Sequence, residues 1–224
     1  MVGSEAGSVG VGESQAEIGG AGIGRSGDVA TLSFYPTKNL GAVGDAGAVL
    51  TRDPRLAERL RSLRDHGSVR RYEHLEVGIN SRLDAIQAAV LAVKLAHLEA
   101  WSEARRAAAS RYGALFREAG LDDRVGLPVE VADGHHVFHQ YVVRVPRRDE
   151  LRAHLEADGI GSQVFYPIPL HLQACFEPLG YREGDLPEAE RAAREVLAIP
   201  MYAELTEADQ ARVVASIGSF FGAA

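Results

Sequence analysis

Ser33-Phe34-Tyr35-Pro36-Thr37-Lys38-Asn39-Leu40-Gly41, running on to Gly44-Asp45-Ala46-Gly47, decides how this chain reads. The residues at 30–35 are mostly β-branched, aromatic or small, which predicts a short strand. Pro36 has no amide hydrogen for a sheet ladder, so the strand must end there. The glycines that follow make a tight connection into a second apolar run, Ala48-Val49-Leu50, so strands are expected at 30–35 and 46–51. One lysine, Lys38, is thereby set on a rigid strand end, walled by Phe34, Tyr35 and Leu40. A Schiff-base lysine must react as the uncharged amine, and apolar walls favour that form. Ser33, at the end of the strand, can offer a hydroxyl to an anion. Taken by itself, a lysine after a strand is more often a solvated side chain.

Composition narrows the classes. A length of 224 residues suffices for one full domain or one and a half smaller ones. The formal net charge of -7 leaves no basic excess to neutralise phosphates, which argues against a nucleic-acid partner. The single cysteine, Cys175, excludes an internal disulfide and suits a reducing compartment. No apolar run is long enough to cross a bilayer, and no secretory signal is read at the start, so a cytoplasmic location without a membrane partner is expected. The histidines and acids show no metal-ligand spacing, so no metal site is expected.

Residues 1–27 carry glycines throughout with almost nothing large and apolar, and such a segment is expected to be disordered or loosely docked. Asp53 and Pro54 open a helix as N-cap and first-turn residue, with Leu56, Leu60 and Leu63 inward and Gly67 as the stop. The stretch 66–79 reads as polar loop. A very long helix follows, with Asn80 and Ser81 as candidate caps. Its stripe is Leu83, Ile86, Val90, Val93, His97 and Trp101, and it persists to about Phe116. A helix of that length commonly bridges two domains, and the boundary is placed near residue 105. The rest predicts a small α+β unit: a strand at 137–145, a helix capped by Asp149 and stopped by Gly159, a strand at 160–165, and helices at 187–198 and 206–221.

The lysine segment resembles the cofactor-lysine segment of the DegT-type (DegT/DnrJ/StrS) sugar aminotransferases, a pyridoxal-phosphate (PLP) family. Leu63-Arg64-Asp65-His66-Gly67, Gly78-Ile79-Asn80-Ser81-Arg82-Leu83-Asp84, His136-Val137-Phe138-His139-Gln140-Tyr141 and Tyr166-Pro167-Ile168-Pro169-Leu170-His171 resemble further segments of the same family, in family order. The resemblance implies an α/β fold of the PLP-dependent transferase type (aspartate aminotransferase-like, fold type I), N-terminally truncated, with a small α+β C-terminal domain. On that reading the chain divides into a glycine-rich segment 1–27, a remnant of the large PLP-binding domain at 28–105, and the small domain at 106–224.

The same resemblance implies the chemistry: transfer of an amino group from an amino-acid donor to a nucleotide-sugar acceptor, in polysaccharide or antibiotic-sugar biosynthesis, by a homodimer using PLP. The lysine matching Lys38 binds PLP covalently, the serine matching Ser33 contacts its phosphate, and the asparagine matching Asn80 reaches the phosphate of the neighbouring subunit. Gln15, in Glu13-Ser14-Gln15-Ala16, is the nearest match to the stretch that holds the cofactor ring, with serine where the family has aspartate. Asn80 as a plain helix cap is an equal alternative. Tyr166, His139 and His171 are candidate substrate contacts, against ordinary packing. A non-catalytic binding or regulatory module, or a gene fragment, derived from the family is the alternative to an enzyme.

Overall fold

The structure is a computed structural model that describes residues 17–18, 21–22, 27–132 and 134–222. It divides into two compact units, Met1–Glu99 with Glu130–His136, and Ala100–Val129 with Val137–Ala224.

In the first unit the backbones of Glu17–Ile18 (β1) and Ala21–Gly22 (β2) pair antiparallel. Most of the glycine-rich segment, Gln15 included, lies outside the described residues. Val29–Ser33 (β3) and Gly47–Thr51 (β4) form an antiparallel hairpin in register from Val29↔Thr51 to Ser33↔Gly47. The pairing runs past β3, since the Phe34 amide donates to the Ala46 carbonyl at 2.8 Å. Helix α1, Pro54–Arg64, begins as the sequence implies: the Asp53 side chain accepts from the Arg55 amide, and Pro54 occupies the first turn where no amide partner is needed.

The supposed loop at 66–79 contains a small hairpin instead, Ser68–Arg70 (β5) with Glu73–His74 (β6). Its turn is closed by Tyr72 at φ 69°, with the Arg71 guanidinium over its ring. A tyrosine in the left-handed region is uncommon, which is why no turn was legible there.

The long helix is two helices, α2 at Ala85–Leu95 and α3 at Leu98–Glu118. No proline divides them; the Ala96 and His97 amides both turn back to the Lys94 carbonyl, tightening the last turn so that the ladder stops. Asn80 and Ser81 cap neither, because α2 starts only after Asp84. The buried stripe is also corrected. Leu91 and Leu98 are buried, with Leu95 against them, whereas Ile86 and Val93 are 75% and 69% exposed. Periodicity could not choose the inward face of α2, because it is apolar nearly all round.

The second unit has its own core, centred on Tyr112 and Phe116 of α3, Leu151 and Leu155 of α4 (Arg148–Ala157), and Val213 and Ile217 of α6 (Glu207–Phe220). Its sheet pairs Tyr141–Arg144 (β7) antiparallel with Val196–Ile199 (β8). Single bridges from Gly126 to Arg144 and from Gln163 to Ala198 extend the two edges. Four expectations change here. The strand read at 137–145 is only β7, because Phe138 turns the backbone to φ 39°. The one read at 160–165 is reduced to the Gln163 bridge. The helix read at 187–198 ends at Glu195 (α5, Pro187–Glu195), and Val196-Leu197-Ala198-Ile199, an apolar and partly β-branched run, pairs as β8. Asp149 is not the N-cap of α4 either; Arg147 occupies that position and Asp149 pairs with Arg148. Gly159, at φ 69°, does follow the end of α4, and Thr206 caps α6 through the Asp209 amide.

Candidate functional site

Lys38 stands at the end of a turn, Tyr35-Pro36-Thr37-Lys38, in which its amide donates to the Tyr35 carbonyl at 2.9 Å. Pro36 suits the second position of such a turn because its φ is already set. The chain then doubles back so closely that a methyl group on Gly41 would come within 2.3 Å of the Pro36 carbonyl oxygen. Only glycine permits that approach. Lys38 is half-buried; of its expected walls, Leu40 is buried, Phe34 packs beside it, and Tyr35 is half exposed.

Ser33 ends β3 with an exposed side chain whose oxygen accepts from the Tyr35 amide at 3.3 Å, leaving the hydroxyl proton to be given outward. Asn80 is exposed and its backbone bridges to Asp65. Its neighbours are pinned to the end of α1: Ile79 donates to the Leu63 carbonyl at 2.8 Å, and Ser81 to the Arg64 carbonyl at 2.8 Å. A cavity of about 1140 Å³ is lined by Ser33 and Tyr35 on one side and by Ile79, Ser81 and Arg82 on the other. Ser33 and the residues flanking Asn80 thus share one space, whereas Lys38 and Asn80 are not among the residues that line it. An amine on a fixed turn, a serine hydroxyl and an exposed amide are the chemistry that the aldehyde and phosphate of PLP require, so these residues fit that end of the cofactor.

The remaining candidates belong to the second unit. Tyr166 is 71% exposed. His139 lines a cavity of about 300 Å³ together with Gln140, Ser162, Gln163, Phe165 and Met201. Its rim is stapled by Arg105, whose guanidinium donates to the carbonyls of Phe138, His139 and Met201 at 3.0–3.2 Å.

His171 is different. It is buried, with Nε2 3.0 Å from the Glu190 carboxylate, which also accepts from the Gly184 and Leu186 amides. The packed alternative describes it. Burial works against the Glu190 carboxylate, but the bonds from His171, Gly184 and Leu186 outweigh it and hold the carboxyl below its ordinary range. Because the folded state depresses this pKa, the stabilisation is complete above the ordinary carboxylate value of 4.5 and is lost as pH falls through the lower folded value. The melting-temperature gap between the unsubstituted chain and Glu190→Gln should therefore be widest near neutrality and close as pH drops below 4.5; a gap constant down to pH 3 would contradict it.

Sequence reasoning missed Gln87, Lys94 and Arg105. Each uses a side chain to hold a distant backbone carbonyl or amide, and no local pattern announces such a bond.

The chain matches the DegT/DnrJ/EryC1/StrS aminotransferase family over residues 8–218, and it belongs to that family. The family is PLP-dependent. Among curated relatives, the chain is 52% identical to the "Pleiotropic regulatory protein" of Geobacillus stearothermophilus, over 92% of this chain and 55% of that protein. It is 49% identical to the dTDP-3-amino-3,4,6-trideoxy-alpha-D-glucose transaminase of Streptomyces venezuelae, over 87% of this chain and 51% of the relative. Among solved structures, S. venezuelae DesV, in complex with a ketimine intermediate, aligns with a TM-score of 0.84 at 47% identity, covering 92% of this chain and 54% of that one. The fold is therefore that of the fold type I PLP-dependent aminotransferases, and the chain spans about half the length of the relatives it matches. Among the described residues no helix is long and apolar enough to cross a membrane.

Proposed function

We propose that this chain supplies the lysine-bearing part of a PLP-dependent aminotransferase that passes an amino group from an amino-acid donor to a keto-sugar nucleotide. The observation that carries the reading is the Lys38 turn, built as a rigid cradle for one amine in a chain of this family. PLP, when bound, supplies an electron-accepting ring that stabilises negative charge on the substrate carbon. Lys38 would hold it covalently and, as a free amine, would take up the proton that leaves the substrate carbon. The Ser33 hydroxyl and the Asn80 amide would bind the phosphate. Tyr166 and His139 are the side chains offered to substrate, whereas His171 is buried against Glu190 and packs instead. A cytoplasmic location belongs to the same proposal, and the lone cysteine agrees with it. Incubation with PLP, borohydride reduction and peptide mapping test the reading: label should accumulate at Lys38 over Lys94, the other lysine. Equal labelling would overturn it.

The proposed assembly is a homodimer in which Asn80 serves the partner's site. Exposed apolar side chains on α2 (Ile86, Val93) and near Asn80 (Leu75, Val77, Ile79) support a buried face between copies. Since Asn80 caps no helix, Asn80→Ala should leave the melting temperature unchanged while weakening PLP binding about tenfold, the size of a lost charge-assisted bond. Mixing Asn80→Ala with Lys38→Ala chains sharpens the test. If Asn80 acts across the interface, each mixed dimer regains one whole site. No recovery would place Asn80 in its own subunit's site.

One observation favours a second reading, a regulatory module without catalysis: two relatives are named for regulation or sensing, the Geobacillus protein and the "Erythromycin biosynthesis sensory transduction protein EryC1" of Saccharopolyspora erythraea, at 40% identity. A new visible-edge absorbance band on adding PLP would count against it.

A further inference from the structure

Helix α2 is apolar except at two positions, Gln87 and Lys94, and both are turned inward while Ile86 and Val93 face out. That inversion has a counterpart in what the two residues hold. The Lys94 ammonium donates to the Gly41 carbonyl at 2.5 Å, and Gln87 Oε1 accepts from the Val43 amide at 2.9 Å. Seven residues apart, they lie two turns along one face, about 10 Å by helix rise. Between their two grips Ala42 is buried, and its amide donates to the Phe34 carbonyl at 2.8 Å. Leu40 is packed against Leu91 and Leu98.

We propose that Gln87 and Lys94 are positioning residues that clamp the 40–43 segment and thereby fix the Lys38 amine for condensation with PLP. The proposal rests on the reading of Lys38 given above. Transmission is steric and short. Gly41 lies against the Pro36 carbonyl with no room for even a methyl group, and the Tyr35-Pro36-Thr37-Lys38 turn hangs between those two points. If Gly41 shifts, Pro36 must shift, and the turn that aims Lys38 shifts with it. A carbonyl held by an ammonium is a stronger grip than a neutral bond, so Lys94 is the larger of the two restraints.

The test uses the whole chain, PLP as the probe, and two readings: the rate of borohydride-trapped adduct at Lys38, and hydrogen exchange at the Lys38 amide. Gln87→Leu and Lys94→Met remove the polar ends while keeping the bulk. Each should slow adduct formation at Lys38 about tenfold, the usual size for one such bond, and speed exchange at the Lys38 amide. Gln87→Glu, which keeps an acceptor, and Lys94→Arg, which keeps a donor, should restore most of the rate. Ala92→Ser, at an exposed position of the same helix, should change nothing.

Gly44→Ala gives an independent route, because its methyl group would lie 2.5 Å from Gln87 Nε2 and push the amide aside. It should mimic Gln87→Leu, and the two changes together should do no more than either alone. Rates within twofold of the unsubstituted chain in both Gln87→Leu and Lys94→Met, with unchanged exchange, would overturn the clamp. Should the unsubstituted chain show no preference for Lys38, the reading of Lys38 falls by itself. The exchange measurements still decide whether the clamp holds the turn: faster exchange supports it and unchanged exchange overturns it.

Discussion

Lys38→Ala should abolish selective capture of PLP, lowering the rate of trapped adduct by at least about a hundredfold, while leaving the fold intact. The size follows from what an organised site does: it replaces a chance encounter between amine and aldehyde by a fixed one, and removing the amine leaves only diffuse reaction elsewhere. The fold should survive because the turn is made by the Lys38 backbone amide, not by its half-buried side chain. A change of about 0.5 kcal/mol in stability or less is therefore expected. Lys38→Arg sharpens the test. It keeps charge and length, yet a guanidinium does not deprotonate in a protein and cannot form the same bond. Both variants should be equally dead toward PLP and equally stable. An arginine variant that still captured PLP, or an alanine variant that captured it through Lys94, would show that the turn organises nothing.

The parts of this arrangement that could be read in the sequence are those with local causes. The hairpin 29–51 follows from β-branched residues bounded by Pro36 and glycines, and the start of α1 from Asp53 and Pro54. The errors share a different cause. Val196-Leu197-Ala198 reads as the end of a helix because a short apolar run has no period of its own, and the strand Val196–Ile199 forms by pairing with Tyr141–Arg144, more than fifty residues away. The sequence does not choose the inward face of α2, because Leu, Ile and Val surround it and the docking partner decides which side is buried. What identified the inward face was polar: Gln87 and Lys94 bond to the lysine loop. Asn80 stands out in the sequence, but the helix-cap reading of it fails because the helix starts only after Asp84. Lys38 and Ser33 were placed by family resemblance, to which the structure adds a physical reason for the first, the turn closed by Tyr35 and Gly41.

Gly78→Ala should cost the first unit about 3 kcal/mol or more. The added carbon would lie 2.2 Å from the Gly67 amide nitrogen, 2.6 Å from the Leu63 carbonyl oxygen and 2.7 Å from the His66 carbonyl carbon. All three are backbone atoms, so no side chain can rotate away and the chain itself must move. The movement would break a crossing point. Gly67, at φ 70°, is the other half of it, and its own methyl group would strike the Glu76 carbonyl at 1.7 Å. From this crossing the bonds fan out that hold the Asn80 segment: His66 to Ile79 at 3.0 Å, Ile79 to Leu63 at 2.8 Å, and Ser81 to Arg64 at 2.8 Å. Gly78→Ala therefore differs in kind from Asn80→Ala. The latter should remove one amide from a correctly placed loop, so PLP affinity falls and melting does not change. The former should displace the loop, so affinity, melting temperature and resistance to proteolysis between residues 66 and 81 fall together. Gly161→Ala serves as the control, because nothing lies within 4 Å of its added carbon, and its melting temperature should match that of the unsubstituted chain. If Gly78→Ala melted like Gly161→Ala, the crossing of the two glycines would not be what holds Asn80 in place.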